Sequence, residues 1–232
     1  MKRVLRVLRA RDEGGAVAVE AALITPILCM LVFGIIEFAF LLRDYSVVAS
    51  DVRTAGRIAS TGAGFGPGTC DTSYDDPPPC TPGNSPALAQ LAADAIQREG
   101  SAMPNDSINY LLIYQANDKG YPGANGNTTM PSSCAGVSQC VRFIWKPHAN
   151  GGQGGFRYAE GTWKSSTISA CFPGTGSASL DRVGVYLNAT HKMMTGIFGS
   201  AVTVSDHAAF DFEPLPTASC NGTGSTSTGG HS

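Results

Sequence analysis

The sequence lacks the short motifs that mark most catalytic and cofactor-binding sites. It has no G-x-S-x-G elbow, no S-x-x-K, no H-E-x-x-H, no Walker loop and no G-x-G-x-x-G turn. It also has no C-x-x-C pair and no cluster of cysteine with histidine, which argues against a zinc site. The four histidines have no acid or nucleophile at a telling spacing: His148, His191, His207 and His231. We therefore expect no enzymatic activity, no metal and no cofactor.

Charged side chains are scarce as well, at 15% of the chain, and the formal net charge is −2. Residues 1–15 hold five of the 16 basic and two of the 18 acidic side chains, so the rest of the chain has a net charge of −5. No basic patch remains to bind phosphates, which argues against a nucleic-acid partner. The abundance of Gly, Ser, Thr, Asn and Pro favours a loop-rich exported domain over a cytosolic enzyme.

One long hydrophobic run dominates what is present. Residues 15–42 are apolar except for Glu20, Thr25 and Glu37. As a helix, this run would be about 40 Å long and would cross a hydrocarbon core of about 30 Å. The sequence therefore predicts a transmembrane helix at residues 16–42. The basic residues ahead of it favour a single-pass protein of the cytoplasmic membrane with its N-terminus inside and its C-terminus outside: Lys2, Arg3, Arg6, Arg9 and Arg11.

The start of the run differs from a cleavable secretory signal. The apolar region exceeds about 7–15 residues and no small-x-small site ends it, whereas Gly14 and Gly15 precede it. Glu20 lies near its start, and an acid at the centre of a membrane helix costs about 2.5–3.5 kcal/mol, less near the end. Cleavage between Gly15 and Ala16 would free an amine that could neutralise Glu20 of a neighbouring copy. Residues 1–15 are therefore predicted to be a leader peptide, and Glu20 an assembly contact.

The N-terminal part of the chain resembles a known family. The basic leader ending in Gly15, the acid at the fifth mature position (Glu20), Pro26, the GIIEF block at 34–38 and the AGR block at 55–57 are similar to the TadE-like family of minor pilins, or pseudopilins, of the tight-adherence (Flp, type IVc-like) pilus system. The resemblance implies a pilin-like fold, processing by a prepilin peptidase, and a role in assembly or tip structure of a pilus. It implies as partners the peptidase, other pilins and minor pilins, and the inner-membrane assembly platform.

Two other functions remain open at this point. The first is an unprocessed single-pass membrane protein that displays an extracytoplasmic binding or sensor domain and begins at Met1. The second is a membrane-tethered hydrolase whose site is not recognised. Glu20 has an alternative interpretation too, as an interfacial acid at the level of the lipid headgroups. Glu37, near the outer end of the apolar run, is interpreted as a solvated or snorkelling side chain.

One cysteine lies in the predicted membrane helix and the other six lie after it. Cys29 lies inside the apolar run and is predicted to be a free thiol. The other six fall on the oxidising side, which predicts three disulfides: Cys70, Cys80, Cys134, Cys140, Cys171 and Cys220. Several pairings are possible. Short loops favour the pairs 70–80 and 134–140, which leaves 171–220.

Residues 43–61 are predicted to continue the membrane helix outside the membrane. Apolar and small residues at helical spacing form a stripe that we expect to pack on the following domain: Val47, Val48, Ala49, Val52, Ala55 and Ile58. The charged residues of the same segment are expected to stay in water: Arg43, Asp44, Asp51, Arg53 and Arg57.

Residues 62–216 are predicted to form a disulfide-stabilised, pilin-like α+β domain in which an antiparallel sheet packs on helices. A second helix is expected with Ser85 as its cap and Pro86 as its first residue, ending at Gly100. Strands are expected at 108–116, 140–146, 181–190 and 201–212, and turns throughout 147–162. The Gly/Ser/Thr-rich residues 217–232 are predicted to be a disordered tail.

Overall fold

The protein consists of a long helix, a short helix and one antiparallel sheet. The computed structural model describes residues 13–68, 84–98, 103–147, 154–171, 180–196 and 199–216, so most of the predicted leader and the predicted tail lie outside the described residues. The helices are α1 (Glu13–Thr61) and α2 (Ala87–Arg98), and the strands are β1 (Ile108–Ala116), β2 (Cys140–Lys146), β3 (Gly155–Thr162), β4 (Arg182–Lys192) and β5 (Ala201–Asp211). The strand order is β3-β2-β1-β4-β5, with every neighbouring pair antiparallel. The predicted α+β class is confirmed.

The outer half of α1 supplies one side of the hydrophobic core. Its fully buried apolar side chains recur every three or four residues, the spacing of one helix face: Val48, Val52, Ala55 and Ala59. This face packs on α2, β4 and β5. The sheet therefore folds onto the same helix that carries the apolar run, as the sequence predicts.

Two acids on this half of α1 contradict the expectation that they stay in water. Asp51 is buried, with 6% of its surface exposed. Asp44 is half-buried and contacts His191 of β4. The reason is that β4 and β5 cover a wider part of the helix surface than the apolar stripe alone. Arg53 and Arg57 are exposed, as predicted.

β1 lies at the centre of the sheet and is buried on both faces. Leu111 and Ile113 pack in the core formed with the helices, whereas Leu112 and Tyr114 pack under the loop that connects β1 to β2. The Tyr114 hydroxyl donates a hydrogen bond to the carbonyl of Gly120 at 3.0 Å. Burial raises the pKa of this hydroxyl, so it remains a donor. Burial on both faces explains the unbroken apolar run of this strand.

The expectation of turns throughout residues 147–162 is wrong, because β3 forms at the edge of the sheet. β3 pairs with β2 and places Phe156 opposite Trp145. The Phe156 ring is fully buried, and the two ring centroids lie 5.2 Å apart in an edge-on arrangement. This strand depends on contacts made across the sheet, which the glycine-rich local sequence does not reveal.

The start of α2 also differs from the prediction. The helix begins at Ala87, and the Ser85 hydroxyl lies 3.4 Å from the carbonyl oxygen of Pro86. The Ala87 N–H donates to the carbonyl of Gly66 at 2.9 Å. Backbone beyond the end of α1 therefore satisfies the first amide of α2. The predicted stop at Gly100 lies outside the described residues.

One predicted disulfide is confirmed. Cys134 and Cys140 are bonded across the loop between β1 and β2, with their Cα atoms 5.4 Å apart. Cys171 is also disulfide-bonded. The remaining outer cysteines lie outside the described residues: Cys70, Cys80 and Cys220. The other two predicted pairs therefore stay predictions.

Gly56 marks a close approach of α1 to the sheet. A Cβ at this position would lie 2.5 Å from the Phe210 ring of β5, so the ring or the helix would have to move. We expect Gly56→Ala to lower the free energy of unfolding by about 1–2 kcal/mol through overpacking, despite the better helix propensity of alanine. Urea unfolding of the full chain in detergent, followed by tryptophan fluorescence, measures this change.

Gly15→Ala is the matched control for Gly56→Ala, because a Cβ at Gly15 meets nothing within 4 Å. A smaller ring in Gly56→Ala/Phe210→Leu should restore part of the lost stability. Unchanged stability of Gly56→Ala would contradict the close approach.

Candidate membrane and assembly site

The first half of α1 projects from the domain with its apolar surface uncovered. Residues 17–36 are all exposed apart from Gly34, which is half-buried. The most apolar 18-residue window has a mean hydropathy of 2.4, and none of it is buried inside the domain. By length and composition, α1 is the one helix among the described residues that is able to cross a membrane. Such a helix fits a single-pass membrane protein. Its thiol at Cys29 is free and exposed, as predicted.

Glu20 lies on this uncovered surface. It is exposed and makes no hydrogen bond or ion pair within the described part of the chain. Its neighbours one turn away on the same face are Val17, Leu23 and Ile24, all exposed and apolar. In lipid, an acid in such surroundings needs a partner from another molecule. Its role as an assembly contact stays a prediction.

The predicted processing site lies in α1, which is described from Glu13 onward. The bond between Gly15 and Ala16 is two residues after Glu13. No other part of the described chain comes within 4 Å of a Cβ at Gly15. Ala16 precedes Glu20 by four residues and therefore shares its helix face. Cleavage at this bond stays a prediction.

Pro26 creates a second polar feature on the uncovered half. Proline has no N–H, so the carbonyl of Ala22 loses its partner four residues along the helix. The Thr25 hydroxyl donates instead to the carbonyl of Ala21, at 2.6 Å. In a membrane, a freed carbonyl is satisfied by a neighbouring helix or by water.

Two acids attach α1 to the end of β4. Glu37 is only 3% exposed, and its carboxylate accepts hydrogen bonds from Thr195, from the N–H at 3.1 Å and from the hydroxyl at 2.5 Å. Two turns further on, Asp44 Oδ2 lies 2.6 Å from Nδ1 of His191. The interpretation of Glu37 as a solvated or snorkelling acid is therefore wrong. The β4–β5 hairpin reaches back along the helix and covers it.

The second histidine among the described residues, His207, makes a ring contact. The His207 ring lies 4.7 Å from the Tyr121 ring. His148 and His231 lie outside the described residues. No group of three or more His, Cys, Asp or Glu able to hold a metal occurs in the part of the chain that the structure describes.

Comparison with protein-family models matches residues 15–57 with the family described as TadE-like protein. This part of the chain is TadE-like. The match begins at the predicted processing glycine and ends where α1 is packed in the core. It confirms the resemblance seen in the sequence over these residues. Comparisons with curated proteins and with solved structures gave no match.

The contacts of the TadE-like helix with the hairpin are the part of this site that the sequence analysis missed. Glu37, Asp44 and Asp51 are spaced seven residues apart, which places them on one helix face two turns from each other. All three are buried or half-buried against the domain. That spacing was the available signal, because acids that repeat on the packed face of a helix need partners.

The contact between Asp44 and His191 yields a testable prediction. We expect Asp44→Ala to lower the free energy of unfolding by about 1–3 kcal/mol, because it removes a hydrogen-bond partner from a buried ring. The Nε2 atom of His191 is already buried without a hydrogen bond. Asp44→Asn keeps an acceptor oxygen and should cost less. Urea unfolding of the full chain in detergent is the measurement.

Asp106→Ala is the control for Asp44→Ala, since Asp106 is an exposed acid that lines a surface groove together with Asp44 and His191. It should unfold as the wild type does. Equal stability of Asp44→Ala and wild type would show that the contact contributes nothing.

Proposed function

We propose that the protein is a minor pilin, or pseudopilin, that takes part in the assembly or tip structure of a tight-adherence pilus and is processed after Gly15. The observation that carries the proposal is the uncovered TadE-like half of α1, which presents an acid with no partner among the described residues on a surface suited to lipid. A helix of this kind is stable in two places, the membrane and a bundle of similar helices.

The position of Glu20 relative to Ala16 supports processing as part of this function. Cleavage would make Ala16 the first residue and leave its ammonium four residues, or about 6 Å along the helix axis, from Glu20 of the same chain. A neighbouring helix displaced by about one turn would bring its own ammonium level with this carboxylate. The two opposite charges would then neutralise each other between chains, and in a low-dielectric environment that pairing is strong.

The proposed partners follow from these two steps, cleavage of the leader and packing of the helix against its neighbours. A prepilin peptidase would cut the leader at the cytoplasmic face, and an inner-membrane assembly platform would bring the helix against other pilins and minor pilins. The leader holds five basic side chains, which supports an orientation with the N-terminus inside and the domain outside. The protein would carry no catalytic site of its own.

The N-terminus of protein from its native host tests processing. We expect the mature chain to begin at Ala16, and Gly15→Leu to leave the leader attached, because a large side chain replaces the glycine before the cut bond. Mass spectrometry of the N-terminal peptide from membrane and sheared surface fractions is the measurement.

Gly14→Leu is the control for the processing experiment and should be cut normally. A wild-type chain that still begins at Met1 would favour the alternative of an unprocessed membrane protein displaying a binding or sensor domain.

The role of Glu20 is tested by incorporation. We expect Glu20→Gln to insert in the membrane normally but to reach the sheared surface fraction at a level lower by about tenfold or more, as the loss of an interchain ion pair worth about 1.4 kcal/mol would produce. Quantitative immunoblots of the two fractions measure the ratio.

Glu213→Gln, at an exposed acid beyond β5, is the matched control for Glu20→Gln and should behave as the wild type does. Normal incorporation of Glu20→Gln would remove the proposed contact.

A further inference from the structure

Glu37 is the first buried side chain along α1, and it marks the change from uncovered helix to packed helix. Before it, residues 17–36 are exposed apart from Gly34. At Glu37, both carboxylate oxygens accept hydrogen bonds from Thr195, in the turn after β4. The turn is therefore fixed at one level of the helix.

That level coincides with the expected outer surface of a membrane. The uncovered residues 17–36 span about 30 Å as a helix, the thickness of a hydrocarbon core. If they fill the core, Glu37 lies at its outer boundary, and the turn bonded to Glu37 lies there too. The transmembrane segment would then end at residue 36, six residues before the end expected from hydropathy.

The surface of the turn fits this location. Met194 is a large apolar side chain with 73% of its surface exposed. Met193 forms a groove of about 550 Å³ with the uncovered part of α1, lined almost entirely by apolar side chains: Met30, Leu31, Gly34, Ile35, Glu37, Phe38 and Leu41. The groove is continuous with the uncovered surface of the helix and extends past Glu37. Lipid that covers the helix would therefore also fill the groove.

Two basic side chains near the turn fit the same location at the outer surface of the membrane. Arg43 and Lys192 are exposed and line a neighbouring groove together with Met194 and two acids, Asp44 and Asp106. Arg43 lies six residues past Glu37, or about 9 Å along the helix, at the outer edge of the phospholipid headgroup layer, which is about 5–8 Å thick. Cationic side chains at that depth interact favourably with lipid phosphates.

We propose that the Met193–Thr195 turn is a second membrane contact of this protein, which is held by Glu37 at the outer lipid interface and places Met194 among the acyl chains. The proposal rests on membrane insertion of α1, which the proposed function also requires. The occupant is the outer leaflet of the bilayer, because the groove is continuous with the lipid-facing helix and is lined almost entirely by apolar side chains.

Tryptophan quenching by brominated lipids tests the location of the turn. The full chain carrying Met194→Trp is reconstituted in phosphatidylcholine vesicles with bromine atoms near the upper end of the acyl chains. The native Trp145 and Trp163 give a constant background that the wild-type chain measures. We expect the added tryptophan to show at least about half of the quenching shown by Leu23→Trp, in the uncovered half of α1.

The controls separate this inference from the proposed function. Thr128→Trp, in the exposed loop between β1 and β2, should show no quenching above background. Quenching of Leu23→Trp but not of Met194→Trp would overturn the second membrane contact and leave insertion of α1 intact. No quenching of either would overturn both, because α1 would then not be in the bilayer.

A second variant tests what holds the turn. Thr195→Val in the Met194→Trp chain removes the hydroxyl that donates to Glu37. We expect quenching of the added tryptophan to fall by about half and its access to aqueous acrylamide to rise, since the turn loses one of the hydrogen bonds that hold it to the helix. Thr203→Val, at an exposed position of β5, is the matched control. Unchanged quenching in Thr195→Val would show that the hydroxyl contact with Glu37 does not hold the turn at the interface.

Discussion

A single continuous helix suits lipid over its first half and packs on the folded domain over its second half. The rest of the structure depends on how the helix changes from one to the other. The uncovered half of α1 is apolar on every side, as a helix in lipid must be, whereas the other half buries only the face that meets the sheet. The change occurs at Glu37, where a carboxylate is satisfied by Thr195 instead of water. This contact allows a polar side chain to stand at the end of an apolar run without being left unpaired.

The domain cannot be separated from the helix that carries it. Val48, Val52 and Ala59 are core residues, and the Phe210 ring of β5 lies against the bare backbone of Gly56. In the last turn of the helix, the carbonyl of Ser60 accepts a hydrogen bond from the N–H of Glu213 at 3.0 Å, which fixes the chain just past β5 to the same element. A force applied along α1 during extraction from a membrane would therefore act on the folded domain directly.

The sequence reveals most of the fold because its strongest patterns are local. The long apolar run, the 3–4 spacing of Val48, Val52 and Ala55, and the apolar run of β1 each determine an element on their own. β3 is different, because its glycine-rich sequence becomes a strand only when Phe156 packs beside Trp145. The burial of Glu37 is different for the same reason, since the residue that covers it is 158 positions away in the chain.

Two acids on the same apolar run therefore have opposite requirements. Glu37 is satisfied by its own chain, so its hydrogen bonds travel with the molecule and persist wherever the helix goes. Glu20 has no such partner in the described chain, and any partner it acquires in lipid must come from another helix or from a newly freed amine. Under the proposed function, an acid paired within its own chain would not contribute to assembly, whereas an acid without such a partner would favour it. Glu20 would then be the group on this helix that distinguishes a solitary chain from a chain packed among others.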